Sequence, residues 1–150
     1  MKQFVVMLAA ATALTLGGMS PALATSDTGN ENPDLTLTAS LASRGTPNPD
    51  IAVVGDVVDT IVSIKDNKRW TLKPQLEEVR LRVVLQIPSV DKFNISIPVL
   101  ALPEQTLRLR FDFPVSASFP RGLYTLTLDA FEVSDPAAPP SSATVTLTIP

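Results

Sequence analysis

The sequence predicts an all-β fold, a sandwich of seven antiparallel strands, on three observations. From residue 34 onward, apolar and polar residues alternate with period two in run after run, the pattern of strands with one face on a core and the other in water. No stretch after residue 24 keeps a helical period. Prolines at 74, 88, 98, 103, 114 and 120 fall at run ends and gaps, where a residue lacking an N–H disturbs a sheet least. Clean alternation also favours antiparallel pairing, because parallel strands buried on both faces read as continuous apolar runs.

Each run has a dry and a wet parity. Leu35, Leu37, Ala39 and Leu41 alternate with Thr36, Thr38 and Ser40. The second run, Asp56–Lys65, turns Val58, Val62 and Ile64 inward. In the third, Val79, Leu81, Val83, Leu85 and Ile87 alternate with Arg80, Arg82, Val84 and Gln86. The fourth, Phe93–Val99, faces in with Phe93, Ile95, Ile97 and Val99. Leu107, Leu109, Phe111 and Phe113 make the fifth, Tyr124, Leu126, Leu128 and Ala130 the sixth, and Val145, Leu147 and Ile149 the seventh. Seven short strands sharing a core fit two packed sheets; a closed barrel is the competing arrangement.

The segments before the strands have different characters. Residues 1–24 read as a signal peptide: Lys2, an apolar stretch from Phe4 to Leu16, helix-breaking Gly17, Gly18 and Pro21, and Ala22-Leu23-Ala24 for cleavage. The apolar stretch is shorter than the roughly 20 residues a membrane span needs. The expected mature chain begins at Thr25 with net charge −4, against −3 for the whole sequence, and is soluble in the periplasm or the medium. Residues 25–33, TSDTGNENP, contain no apolar side chain and read as a disordered acidic leader. Residues 34–150 then form one domain, a size that sustains its own core.

Composition excludes much chemistry. There is no cysteine and no histidine, hence no thiol nucleophile, disulfide, imidazole base or Cys/His metal site. The negative net charge offers no basic field for nucleic acid. The ten serines from Ser40 to Ser142 stand without a histidine to activate them, and no lysine is spaced to replace it. A two-carboxylate glycosidase would need an aromatic-lined cleft, and aromatic residues are 5% of the chain. The expectation is no enzyme and no cofactor.

Several landmarks together carry a resemblance. They are Pro33-Asp34-Leu35 opening the first strand, Gly55-Asp56 before the second, and Asn67 after it. Leu100-Ala101-Leu102-Pro103 precedes the fifth strand, and Gly122-Leu123-Tyr124-Thr125-Leu126 opens the sixth. In this order they resemble bacterial immunoglobulin-like and fibronectin-III-like modules, and most of all the cell-adhesion-related domain found in bacteria. The resemblance implies an immunoglobulin-like sandwich, usually a non-catalytic part of larger surface proteins. It also implies a structural tyrosine corner at Tyr124 and Gly122, in which the hydroxyl bonds to main chain within or near Phe113–Arg121.

Other candidate sites have plainer competitors. Trp70, the one tryptophan, is a candidate ligand or partner contact, such as a stacking platform for a sugar ring. The preferred reading is an end cap, packed with Leu72 over the open edge of the core. Arg80 and Arg82, and Arg108 and Arg110, would form a cationic patch if gathered, but this topology puts the third and fifth strands in different sheets. Pairing of Asp129 with Arg82, and of Asp59 with Arg108 or Arg110, is expected instead. The acidic stretches Asp27–Asp34 and Glu77-Glu78 lack the ligand spacing of a calcium loop, so no metal site is expected. The function expected is a secreted or periplasmic binding or scaffolding module engaging a protein or polysaccharide of the cell envelope. The alternative is a protease-inhibitor-like or chaperone-like periplasmic protein acting by edge-strand addition, and a purely structural envelope component is a third reading.

Overall fold

Seven long strands answer the seven alternating runs, and a short one precedes them. In the computed structural model, which describes residues 27–150 apart from 31, 46, 49, 74, 75 and 91, the order is β1 (Asp27–Asn30), β2 (Leu35–Arg44), β3 (Val57–Asp66), β4 (Glu77–Gln86), β5 (Phe93–Ala101), β6 (Thr106–Pro114), β7 (Gly122–Glu132) and β8 (Ser141–Ile149). One sheet runs β1-β8-β7-β4-β5 and the other β2-β3-β6. Every strand pair is antiparallel. This is the expected seven-stranded immunoglobulin-like sandwich, with β1 added at one edge. The third and fifth of the seven long strands, β4 and β6, lie in different sheets as expected.

The dry parities meet between the sheets. Leu35 and Leu37, Val58, Val62 and Ile64, Val79 and Leu81, Leu128, Val145 and Leu147 are at most 2% exposed. Ser141 ties the sheets across this core, its hydroxyl donating to the Leu35 carbonyl at 2.6 Å. Register places the start of β2 beside the end of β3, and the start of β4 beside the ends of β5 and β7. Residues 32–34, 67–73, 76, 102–105 and 133–140 therefore lie at one end of the sandwich, called here the upper end.

Two expectations need correction. Residues 25–33 were expected to be a disordered leader, but Asp27–Asn30 pairs with Ser141–Thr144 of β8 and Asn32 is buried. A sheet edge recruits backbone N–H and C=O groups whatever the side chains, so apolar content did not reveal this strand. The rest of that edge is also covered: Ala52 N–H donates to Thr148 O at 3.0 Å, and Thr148 N–H to Asp50 O at 2.8 Å. The second correction concerns β5. Val99 and Ala101 are buried, but Phe93 is 45% exposed, with Ile95 and Ile97 half-buried. β5 and β6 end their respective sheets without pairing to each other, so the core lies open along the first half of β5. The expected signal peptide, residues 1–24, lies outside the described residues.

Candidate functional site

At the upper end, three strands carry their dry parity one residue beyond the core and finish it with a carboxylate. Asp66 follows Val62 and Ile64, Glu77 precedes Val79 and Leu81, and Glu132 follows Leu128 and Ala130. Asp66 is fully buried and Glu132 is 4% exposed. Charges in such places need partners, and Lys68, just after β3, supplies one. Its ammonium donates to both Glu77 oxygens at 2.7 Å and to Glu132 Oε2 at 2.9 Å. Asn32 Nδ2 donates to Glu132 Oε1 at 3.3 Å, and the Ser134 hydroxyl to Glu77 Oε1 at 2.6 Å. Asp66 Oδ1 accepts the Lys68 N–H at 2.8 Å.

The electrostatics follow from these contacts. Burial works against the Lys68 charge, but the bonds to Glu132 and Glu77 outweigh it and hold the ammonium above the ordinary lysine range. Burial likewise raises the Glu77 carboxyl, yet the Lys68 and Ser134 bonds prevail and leave it below its usual value. At Asp66 burial wins, and the carboxyl is pushed up despite the Lys68 N–H.

This network anchors the foot of the loop between β3 and β4. Asn67 fixes it further: its side-chain Nδ2 donates to Pro33 O at 3.2 Å and to the Thr36 hydroxyl at 2.8 Å. Beyond that foot the loop turns its apolar residues outward. Trp70 is 50% exposed, Leu76 59% and Leu72 wholly exposed. The expected end cap of Trp70 and Leu72 over the core is therefore not formed. The Lys68 network stands at the upper rim instead, over the buried Glu132. Beneath the loop, Leu76 and Leu100 flank a shallow hollow floored by Ala101, Leu102 and Leu107.

The arginine pairs lie in different sheets, and Arg82 and Arg110 are ion-paired. On the outer face of the five-stranded sheet, Arg82 holds Asp129 Oδ2 through Nε at 3.0 Å and an Nη at 2.5 Å. Its guanidinium lies 5.1 Å from the centre of the Phe131 ring, and Ser142 completes Asp129 from β8 at 2.6 Å. On the outer face of the other sheet, Asp59 and Asp112 stand directly opposite each other on β3 and β6. Arg110 reaches Asp59 at 2.9 Å and Asp112 at 3.1 Å, and Arg44 reaches Asp59 at 2.6 Å. Of the two partners weighed for Asp59, Arg110 is the one that bonds. Burial, and then the neighbouring Asp112, push the Asp59 carboxyl up against the pull of Arg44. Among the described residues no three acidic side chains are placed to hold a metal ion.

Tyr124 sits at the opposite, lower end. Its hydroxyl donates to the Pro120 carbonyl at 2.7 Å, inside the segment named for a tyrosine corner. Gly122 makes the chain reversal between them at φ +134, with Pro88 Cγ only 2.9 Å from where a Cβ would stand. Removing the hydroxyl leaves the Pro120 carbonyl without that donor. In urea unfolding, Tyr124→Phe is expected to lose roughly 1–2 kcal/mol, against a few tenths for the control Thr125→Ser.

No protein-family model matches the chain, and no curated protein matches it either. Solved structures do resemble it. A CARDB domain from Pyrococcus furiosus, solved in complex with di-metal ions, is 16% identical with a TM-score of 0.50, over 79% of this chain and 94% of that one. The sporulation control protein Spo0M of Bacillus subtilis is 13% identical with a TM-score of 0.47, over 77% of this chain and 49% of its own. An ApaA protein from Bordetella pertussis is 15% identical with a TM-score of 0.44, over 78% of this chain and 94% of its own. The first of these supports the immunoglobulin-like, CARDB-type sandwich as a fold.

Proposed function

We propose that the chain is an exported, non-catalytic binding module, secreted or periplasmic, that engages a protein or polysaccharide of the cell envelope through its upper loops. The observation that carries this reading is the first part of the loop between β3 and β4, residues 67–73. Its foot is held by Lys68 and Asn67, while Trp70 and Leu72 stand in water. Large apolar side chains on a pre-fixed loop lose little freedom on binding, and tryptophan is favoured at the centres of interfaces. The signal-like residues 1–24 supply the reason to place it outside the cytoplasm.

Trp70 is also the probe, since it is the only tryptophan. Its emission is expected to shift when the protein is titrated with the cell-wall polysaccharide or envelope protein that it binds. A pull-down from envelope extract is expected to retain that partner. Trp70→Ala with Leu72→Ser should weaken retention by roughly tenfold or more without altering the urea midpoint. Equal retention by the variant would refute the loop as the binding surface.

A further inference from the structure

We infer that the free edge of β5 is a self-association surface, on which a second copy of this chain adds its own β5 antiparallel across a two-fold axis. Sheet edges attract strands, and proteins guard them with charge, proline or covering segments. Here the β8 edge is covered by β1 and by residues 50–52. In the other sheet, β6 carries Arg108, Arg110 and Asp112, and β2 ends in Arg44. Among the described residues β5 has no covering segment, and no residue of it is charged. Its nine residues, Phe93-Asn-Ile-Ser-Ile-Pro-Val-Leu-Ala101, pair only with β4 among the described residues.

The groups on that edge can be assigned. The Glu78 carbonyl of β4 accepts from Val133 N–H, just past the end of β7, at 3.1 Å, so even-numbered residues of β4 point their backbone toward β7 and odd-numbered ones toward β5. Odd residues of β4 stand opposite odd residues of β5. The N–H and C=O groups of Asn94, Ser96 and Leu100 therefore face outward, together with Pro98, which has no N–H to offer. Pro98 limits the usable ladder to its N-terminal side. A two-fold axis at Ile95 uses that part fully: Asn94 of each copy exchanges two hydrogen bonds with Ser96 of the other, and Phe93 lies beside the other copy's Ile97. Pro98 then stands opposite Lys92 as an acceptor only, which is all it can be.

The same register covers apolar surface. A two-fold axis normal to the sheet keeps both inner faces on one side, so the exposed Phe93 and half-buried Ile95 and Ile97 of each copy would shield those of the other. An uncharged strand meets its own copy without repulsion, and the in–out parity matches itself, as an isologous contact requires. The contact is short and belongs with small, weak interfaces.

Analytical ultracentrifugation of the chain from residue 25 onward, from roughly 5 to 500 µM, is expected to show a monomer–dimer equilibrium. Ser96→Lys places two lysines near the axis and should weaken dimerisation at least tenfold with an unchanged circular dichroism spectrum. Because the chain has no cysteine, cross-linking reads the register directly. A mixture of Asn94→Cys and Ser96→Cys proteins should form a disulfide dimer that neither forms alone in comparable yield. A monomer at every concentration would overturn the inference, as it would if the edge instead awaits a foreign strand. A dimer indifferent to Ser96→Lys and lacking the mixed cross-link would overturn it too. Trp70 and Leu72 lie outside this contact, so either result leaves the loop-binding reading to its own test.

Discussion

Replacing Lys68 with methionine is expected to lower unfolding stability by about 2–4 kcal/mol at neutral pH, since it strands Glu132 in a buried site without its cation. The exposure of the lysine stem, 36% of its side chain, keeps the figure below that of a fully enclosed pair. The pH dependence should change as well as the mean. In the wild type Glu77 is held below its ordinary 4.5, so its contribution is present above that pH and lost as pH falls through the folded value. Lys68 is held above 10.5, so its contribution is complete below that pH and lost as pH rises past it. Without the lysine, burial of Glu77 is opposed chiefly by the Ser134 bond, and its protonated form is favoured more than in the wild type. The variant should then recover stability as the pH drops from about 6 to 4, while the wild type loses this contribution. Asp59, whose carboxyl is raised, favours lower pH in both proteins and cancels in the comparison, whereas the raised Asp66 carboxyl loses the pull of the Lys68 charge in the variant and adds to the same trend. Urea unfolding from pH 4 to 8 measures the difference, and parallel profiles would sink the argument.

Leu81→Ala should cost about 3–5 kcal/mol. The side chain is fully buried in β4, between β5 and β7, where neighbours held by ladders on both sides can close little of the cavity. Leu123→Ala, on a side chain 56% exposed, is the matched control and should shift stability by no more than roughly 0.5 kcal/mol. A similar loss in both would mean that the centre of the sandwich is not packed as described.

The strands were legible because side-chain alternation reports directly on a two-faced sheet. The same parity foretold the Arg82–Asp129 pair, since both residues lie on the wet face and in register. It also held the clue to the Lys68 network, which was missed: Asp66, Glu77 and Glu132 continue the dry parity of their strands. A carboxylate on a dry parity is unusual enough to demand a cation nearby. Choosing Lys68 as that cation required knowing which loops meet at the upper end, a consequence of strand register that no single stretch carries. Trp70 went the other way, because an apolar side chain in a loop says nothing of which way the loop turns it. The β1 strand left no side-chain signal at all, its pairing being made by main chain.

That strand has a mechanical consequence. β1 meets β8 with Asp27 opposite Thr144, so a pull through the chain at Asp27 and at Ile149 enters the ladder from one end. The hydrogen bonds are then loaded one after another, as in a zipper, and not together in shear. Under tension β1 peels away first. The four residues of β1 would be released as roughly 13 Å of extended chain before the load moves on toward Leu35 and the core. The chain would lengthen by at least that amount while Lys68 and the Asn67–Thr36 bond still fix the foot of the β3–β4 loop to the remaining strands.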